Sequence, residues 1–151
     1  MNTRRPSALV AQLVPVVLVT TTVAQSQSEI DKALLAAPPA QKEAALVIKW
    51  KADFTYDTLR KGTHRLVCYD RSGGPGQQAF SVECTSTVNL PRVAQNLKFD
   101  AMGEKRQAAL DGAEKDGSRV KPEFGSVFYN LNGQSHESAL RRCIRPPGGH
   151  R

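Results

Sequence analysis

The stretch GTHRLVCYDRSGGPGQQAFSVECTS, Gly62 to Ser86, decides how the rest of the chain is read. Two alternating runs, His64 to Asp70 and Phe80 to Thr85, flank a Gly, Pro and Gln segment, Ser72 to Gln78, that is too rich in chain-reversing residues to continue either strand. A hairpin folded about Gly76 sets Cys68 opposite Cys84. In that register Leu66, Cys68, Phe80, Val82 and Cys84 share an apolar face, while Arg65, Tyr69, Ser81, Glu83 and Thr85 take the other. Opposed Cα atoms of an antiparallel pair lie about 4.5 to 5.5 Å apart, within reach of a disulfide. Hydrophobic pattern and cysteine spacing thus select one register, and closing the loop contributes about 3 kcal/mol by chain entropy.

A bridge of this kind calls for an oxidising compartment. The start of the chain agrees: Arg4 and Arg5, an apolar centre from Ala8 to Val19, and the small residues of Thr22-Val23-Ala24 read as a secretory signal over residues 1–24, with a mature chain beginning at Gln25. The rival, an uncleaved membrane anchor, has too short an apolar centre, so no membrane span is expected after cleavage. Periplasmic or secreted localisation follows. Removing 24 of 151 residues leaves 127, enough for one hydrophobic core, hence one domain over residues 25–140. Six of the 21 Lys and Arg residues lie in the signal or in the last eleven residues, which leaves 15 against 14 acidic residues between Gln25 and Leu140. The near-neutral body gives no specific nucleic-acid partner.

Around the hairpin, Ser28 is placed to cap a short helix through Leu35 that must stop by Pro38-Pro39. Leu46 to Asp57 reads as a single strand with Ile48 and Trp50 entering the core. Asn89 is placed to cap a helix starting at Leu90-Pro91, with Leu90, Val93, Ala94 and Leu97 at helical spacing; a second helix covers Glu104 to Asp116 and ends at Gly117. Phe124 to Leu131 reads as a last strand, and Asn132-Gly133 as a tight turn. The return strand is missing: residues 141–151, with Arg141, Arg142, Arg145 and Arg151, form a basic Arg, Pro and Gly-rich tail, either disordered or the product of a truncated or out-of-frame end. The expected fold class is α+β, a small antiparallel sheet with a disulfide-stapled hairpin packed on one or two helices.

Chemistry-bearing motifs are few. Ser72 to Gly76 lacks the Gly-Lys-Ser/Thr and following helix of a phosphate loop and reads as a connection. His136-Glu137 lacks the second histidine of a zinc-protease helix, because position 140 is Leu. Cys143 with His150 is a poor metal pair, and Asp111, Glu114 and Asp116 lack a calcium loop's spacing, so neither a metal nor a cofactor is expected. Cys143 is left free or coupled to another chain. A Ser, His and Asp enzyme could arise only from scattered residues such as Ser126, His64 and Asp70. The outer hairpin face offers one mixed polar and aromatic patch, Arg65, Tyr69, Arg71 and Glu83, as a possible recognition surface.

LRKGTHRLVCYDRSGGPGQQAFSVECTS, with GSVFYNLNG further on, resembles a pattern of exported bacterial proteins of unassigned function: a Gly-Thr entry, a cysteine, a Pro-Gly loop and a second cysteine. The resemblance implies export and a stapled domain, and no substrate or catalytic residue. The leading expectation is a non-catalytic exported domain, binding or structural, whose partner is an extracytoplasmic ligand or protein. Two alternatives stand beside it: a cryptic hydrolase using His64, Asp70 or Glu83, and attachment to anionic polymers through the arginine tail. Oligomeric state is not legible.

Overall fold

The computed structural model describes residues 20–145. Most of the expected signal, and residues 146–151 of the tail, lie outside the described residues. A helix α1 (Thr20–Ala33) leads into a hairpin β1 (Leu46–Trp50) and β2 (Tyr56–Arg60), then the stapled hairpin β3 (Leu66–Asp70) and β4 (Phe80–Ser86). Helices α2 (Leu90–Asp100) and α3 (Arg106–Asp116) follow, and the hairpin β5 (Phe128–Gly133) and β6 (Leu140–Ile144) closes the sequence of elements. The fold is α+β. Its six strands lie in the order β2-β1-β3-β4-β5-β6, antiparallel throughout except that β1 and β3 run parallel.

The staple forms as the pattern demands. Cys68 pairs with Cys84 in register and in a disulfide, with Cα atoms 4.1 Å apart, and both side chains are fully buried. One sheet face, carrying Val47, Leu66, Cys68, Phe80, Val82, Cys84 and Leu131, is covered by α1 and the 3-10 turn after it through Ile30, Ala33, Leu34 and Ala37. Ile30, Ala33 and Leu34 follow helical spacing, and Ala37, in extended backbone just past the turn, adds to the same covering. The helix begins earlier than expected, and Ser28 lies inside it with its Oγ donating to Gln25 O instead of capping. Pro38 and Pro39 end it as expected.

The opposite face is buried as well. Leu90 and Val93 of α2 pack on Ile48, Val67 and Tyr69, with Leu97 and Trp50 beside them. Asn89 sits at the start of α2 without a side-chain cap; its amide donates to Thr85 and Ser126 and accepts from Glu123 N, tying the helix start to the β4 and β5 ends. Gly117 ends α3 in the left-handed region.

Two expectations about strands are corrected. Leu46 to Asp57 is a hairpin, not one strand: Lys51 N donates to Thr55 O, Asp53 accepts from Thr55, and Phe54 turns at φ 65°. The return strand after β5 does exist as β6, reached through Gln134 to Ala139, so Asn132-Gly133 belongs to β5 and is not a two-residue turn. The physical reason is Arg141, whose guanidinium donates to Ala36 O and Leu35 O at 2.7 Å each, satisfying carbonyls left open where the 3-10 turn ends. The folded body therefore continues past residue 140, through Ile144.

Gly62 makes the parallel pairing possible. The chain crossing from β2 to β3 passes so close to β1 that a Cβ here would lie 2.3 Å from Leu46 N, while the next two amides donate to Ala44 O. No side chain fits.

Candidate functional site

Strands β1 and β3 run parallel and end side by side, and a cleft of about 410 Å³ opens at their carboxyl ends. Such ends are where open sheets with parallel strands leave a crevice between flanking helices. Here Glu29 and Ala33 of α1 border one side, Leu97 and Asp100 of α2 the other, and the β1-β2 turn supplies Phe54. Gly74 and Pro75 of the β3-β4 connection complete the rim. The floor is apolar and aromatic: Ile48, Trp50 and Leu97. Trp50 is held edge-on by Tyr56 and Tyr69, at 5.5 and 5.8 Å between ring centroids. Phe54, the one non-glycine residue with positive φ among the described residues, lines the same cleft, and left-handed backbone at a bulky residue is strain of the kind that collects at working sites.

Behind this floor runs a chain of polar groups, buried except at its outer end, Arg106. Tyr69 donates to Glu83 Oε1 at 2.5 Å; Arg71 reaches Glu83 Oε2 at 3.6 Å and Asp100 Oδ2 at 2.6 Å; Arg106 Nε donates to Asp100 Oδ1 at 2.6 Å. Burial pushes the Glu83 carboxyl up, against the opposing pull of Tyr69 and Arg71, and burial, reinforced by Glu83, holds the Tyr69 phenol well above its usual range. Tyr69 therefore acts as a proton donor to the carboxylate. Asp70 also borders the cleft. Burial raises it, but the hydrogen bonds from Lys32 and Ser72 outweigh that effect and keep its carboxyl below the usual range.

Donors and acceptors around the cleft are out of balance. Asp70 accepts from Lys32 and Ser72, Asp100 from two arginines, and Glu29 from Lys49. Trp50 Nε1 and Arg71 Nε, by contrast, are buried N–H donors with no acceptor. Buried polar groups are nearly always satisfied, and two orphans on residues that line one cleft are a departure to be explained.

Compared with known protein families, curated proteins and solved structures, the chain gives no match. The site has to be read from its own geometry.

The proposed recognition quartet divides. Tyr69, Arg71 and Glu83 meet at one end of β3 but are buried rather than presented on a solvent face, because α2 covers them; Arg71 and Glu83 side chains are only 8% and 13% exposed. Arg65 lies at the other end of β3, exposed and paired with Glu123. His64 and Asp70 are likewise at opposite ends of β3, six residues or about 20 Å apart along an extended strand, so His64, Asp70 and Glu83 are not brought together. Ser126 is engaged with Asn89 and Glu123 O. Cys143 is free and exposed on β6, and among the described residues no three His, Cys, Asp or Glu side chains gather as a metal set.

Sequence reasoning missed Trp50, Phe54, Leu97 and Asp100 as site residues. Asp100 did carry a signal: an acid in the last turn of a helix opposes the macrodipole and needs a cation to hold it. Phe54 carried none.

Proposed function

We propose that the protein is an exported, non-catalytic binding domain whose cleft at the carboxyl ends of β1 and β3 receives a small ligand. The observation that carries this reading is the pair of orphaned, buried donors, Trp50 Nε1 and Arg71 Nε, on residues that line a cleft with an apolar and aromatic floor. Preformed pockets with apolar walls and a few placed polar groups are the usual form of a ligand site. The polar groups behind the wall are locked in mutual pairs, which suits a rigid receptor. Export is supported by the signal-like start and by a disulfide closed in the core.

Trp50 is the sole tryptophan, so its fluorescence reports on the cleft alone. Titrating the protein with a panel of small metabolites, amino acids and sugars is expected to give saturable changes in Trp50 emission with at least one class. A panel that leaves emission and calorimetric heat unchanged overturns the reading, and so does turnover of a ligand that depends on His64. Cell fractionation with mass measurement tests the export half: recovery of a cytosolic chain retaining residues 1–24 removes it.

A further inference from the structure

Resting on that reading, we infer the ligand's chemical class: a flat, apolar body carrying an sp² oxygen acceptor, a carboxylate or a carboxamide, that meets the indole N–H of Trp50 and the guanidinium Nε–H of Arg71. The inference comes from the polar balance. Every carboxylate bordering the cleft already accepts from at least one donor of the protein: Glu29 from Lys49, Asp70 from Lys32 and Ser72, Asp100 from Arg71 and Arg106. A ligand that brings donors finds its acceptors engaged. One that brings acceptors finds two buried donors with nothing to bind.

The charges argue the same way. Arg71 is 8% exposed and is held through its two terminal nitrogens by Asp100 and Glu83, which leaves its Nε edge unused. Lys49 and Lys51 stand at the rim, paired with Glu29 and Asp57, and Lys98 Nζ lies 6.0 Å above the Phe54 ring, so the carboxylates at the entrance are matched by cations and offer an ammonium group no unpaired partner. The remaining wall, Ile48, Phe54 and Leu97 with the Trp50 indole, is apolar or aromatic and matches a planar hydrocarbon body better than a sugar, whose hydroxyls would need acceptors.

Three near-isosteric probes separate the possibilities: 3-phenylpropionate, 3-phenylpropanamide and 3-phenylpropylamine, titrated into the full chain and followed by Trp50 emission and calorimetry. The acid and the amide are expected to bind with Kd of about 1 mM or tighter, and the amine at least about tenfold more weakly. Trp50→Phe keeps an aromatic wall and deletes the N–H; read by calorimetry, it is expected to reduce the preference of the acid over the amine by about tenfold. Equal binding of all three, or preference for the amine, overturns the acceptor class while leaving the cleft as a binding site. Silence of all three, with another member of the wider panel binding, does the same. Silence of every compound overturns the binding reading itself.

Discussion

Arg71 and Asp100 join the exit of β3 to the last turn of α2 through a 2.6 Å ion pair whose side chains are 8% and 7% exposed. Desolvating both ions is costly, and the cost is offset by their pairing with each other and by the further contact of Arg71 with Glu83, with the half-exposed Arg106 adding little. Removing one member leaves an unpaired buried charge. Arg71→Met is therefore expected to destabilise by about 3 to 5 kcal/mol in urea unfolding, whereas Arg106→Ala, at a side chain 47% exposed, costs about 1 kcal/mol or less. Equal losses at the two positions would contradict the buried network.

Glu83 and Asp70 predict opposite pH dependences. Burial raises Glu83, so the native state holds its proton more tightly than the unfolded chain; that contribution is complete below the ordinary carboxylate pKa and is lost as pH rises through the folded value. Asp70 is lowered on balance, with the Lys32 and Ser72 bonds outweighing burial; its contribution is present above the ordinary pKa and is lost as pH falls through the folded value. Relative to wild type, Glu83→Gln should gain stability between about pH 4 and pH 7, and Asp70→Asn should lose it. Denaturation midpoints of the three proteins across that range provide the check.

One thiol per native chain should react with a soluble disulfide reagent. Cys143 is exposed and free, while Cys68 and Cys84 are bonded and fully buried. Reduction under denaturing conditions should raise the count to three. Replacing both bonded cysteines by Ala is expected to cost about 3 kcal/mol, the entropy of leaving this loop open in the unfolded chain. Two or three reactive thiols in the native protein would mean that the staple is not formed.

Neighbouring arginines on β6 should behave differently. Arg141 donates to two carbonyls at the end of the first helical segment, and the side chain of Arg142, its exposed neighbour, makes no hydrogen bond within the described residues. Arg141→Ala is expected to cost about 1 to 3 kcal/mol and Arg142→Ala less than about 0.5 kcal/mol. Thermal melts that rank them the other way would detach β6 from the folded body.

The stapled hairpin was legible because two independent constraints, period-2 alternation and cysteine reach, fall on one register. What escaped were features whose cause lies elsewhere in the chain. The face of Tyr69, Glu83 and Thr85 reads as polar, and it is buried only because Leu90 and Val93, some distance on, settle against it. The β1-β2 reversal contains neither Gly nor Pro; Asp53, whose carboxylate accepts from the amide two residues on, is a turn residue, but a left-handed Phe54 beside it has no sequence signal. β6 looked too basic for a sheet because the acceptors of Arg141 belong to residues more than a hundred positions earlier. The cleft was invisible for the same reason: Trp50, Phe54, Arg71 and Asp100 come from four elements or connections, and only the parallel placing of β1 beside β3 assembles them.

The strand order has a kinetic consequence. Each pair of sequence-adjacent strands, β1 with β2, β3 with β4 and β5 with β6, forms a local ladder, and two seams, β1 to β3 and β4 to β5, join the three ribbons. Closing a ribbon costs a short loop, whereas sealing a seam must wait for long intervening chain to be brought into place. Conservative substitutions on strands that pair only within a ribbon, Leu59 of β2 among them, should chiefly slow folding, while positions that also pair across a seam, Val47 and Tyr129 among them, should speed unfolding as well, a division that φ-values measure directly. The cleft lies across the β1 to β3 seam, so it is assembled late, when separately formed ribbons close on one another.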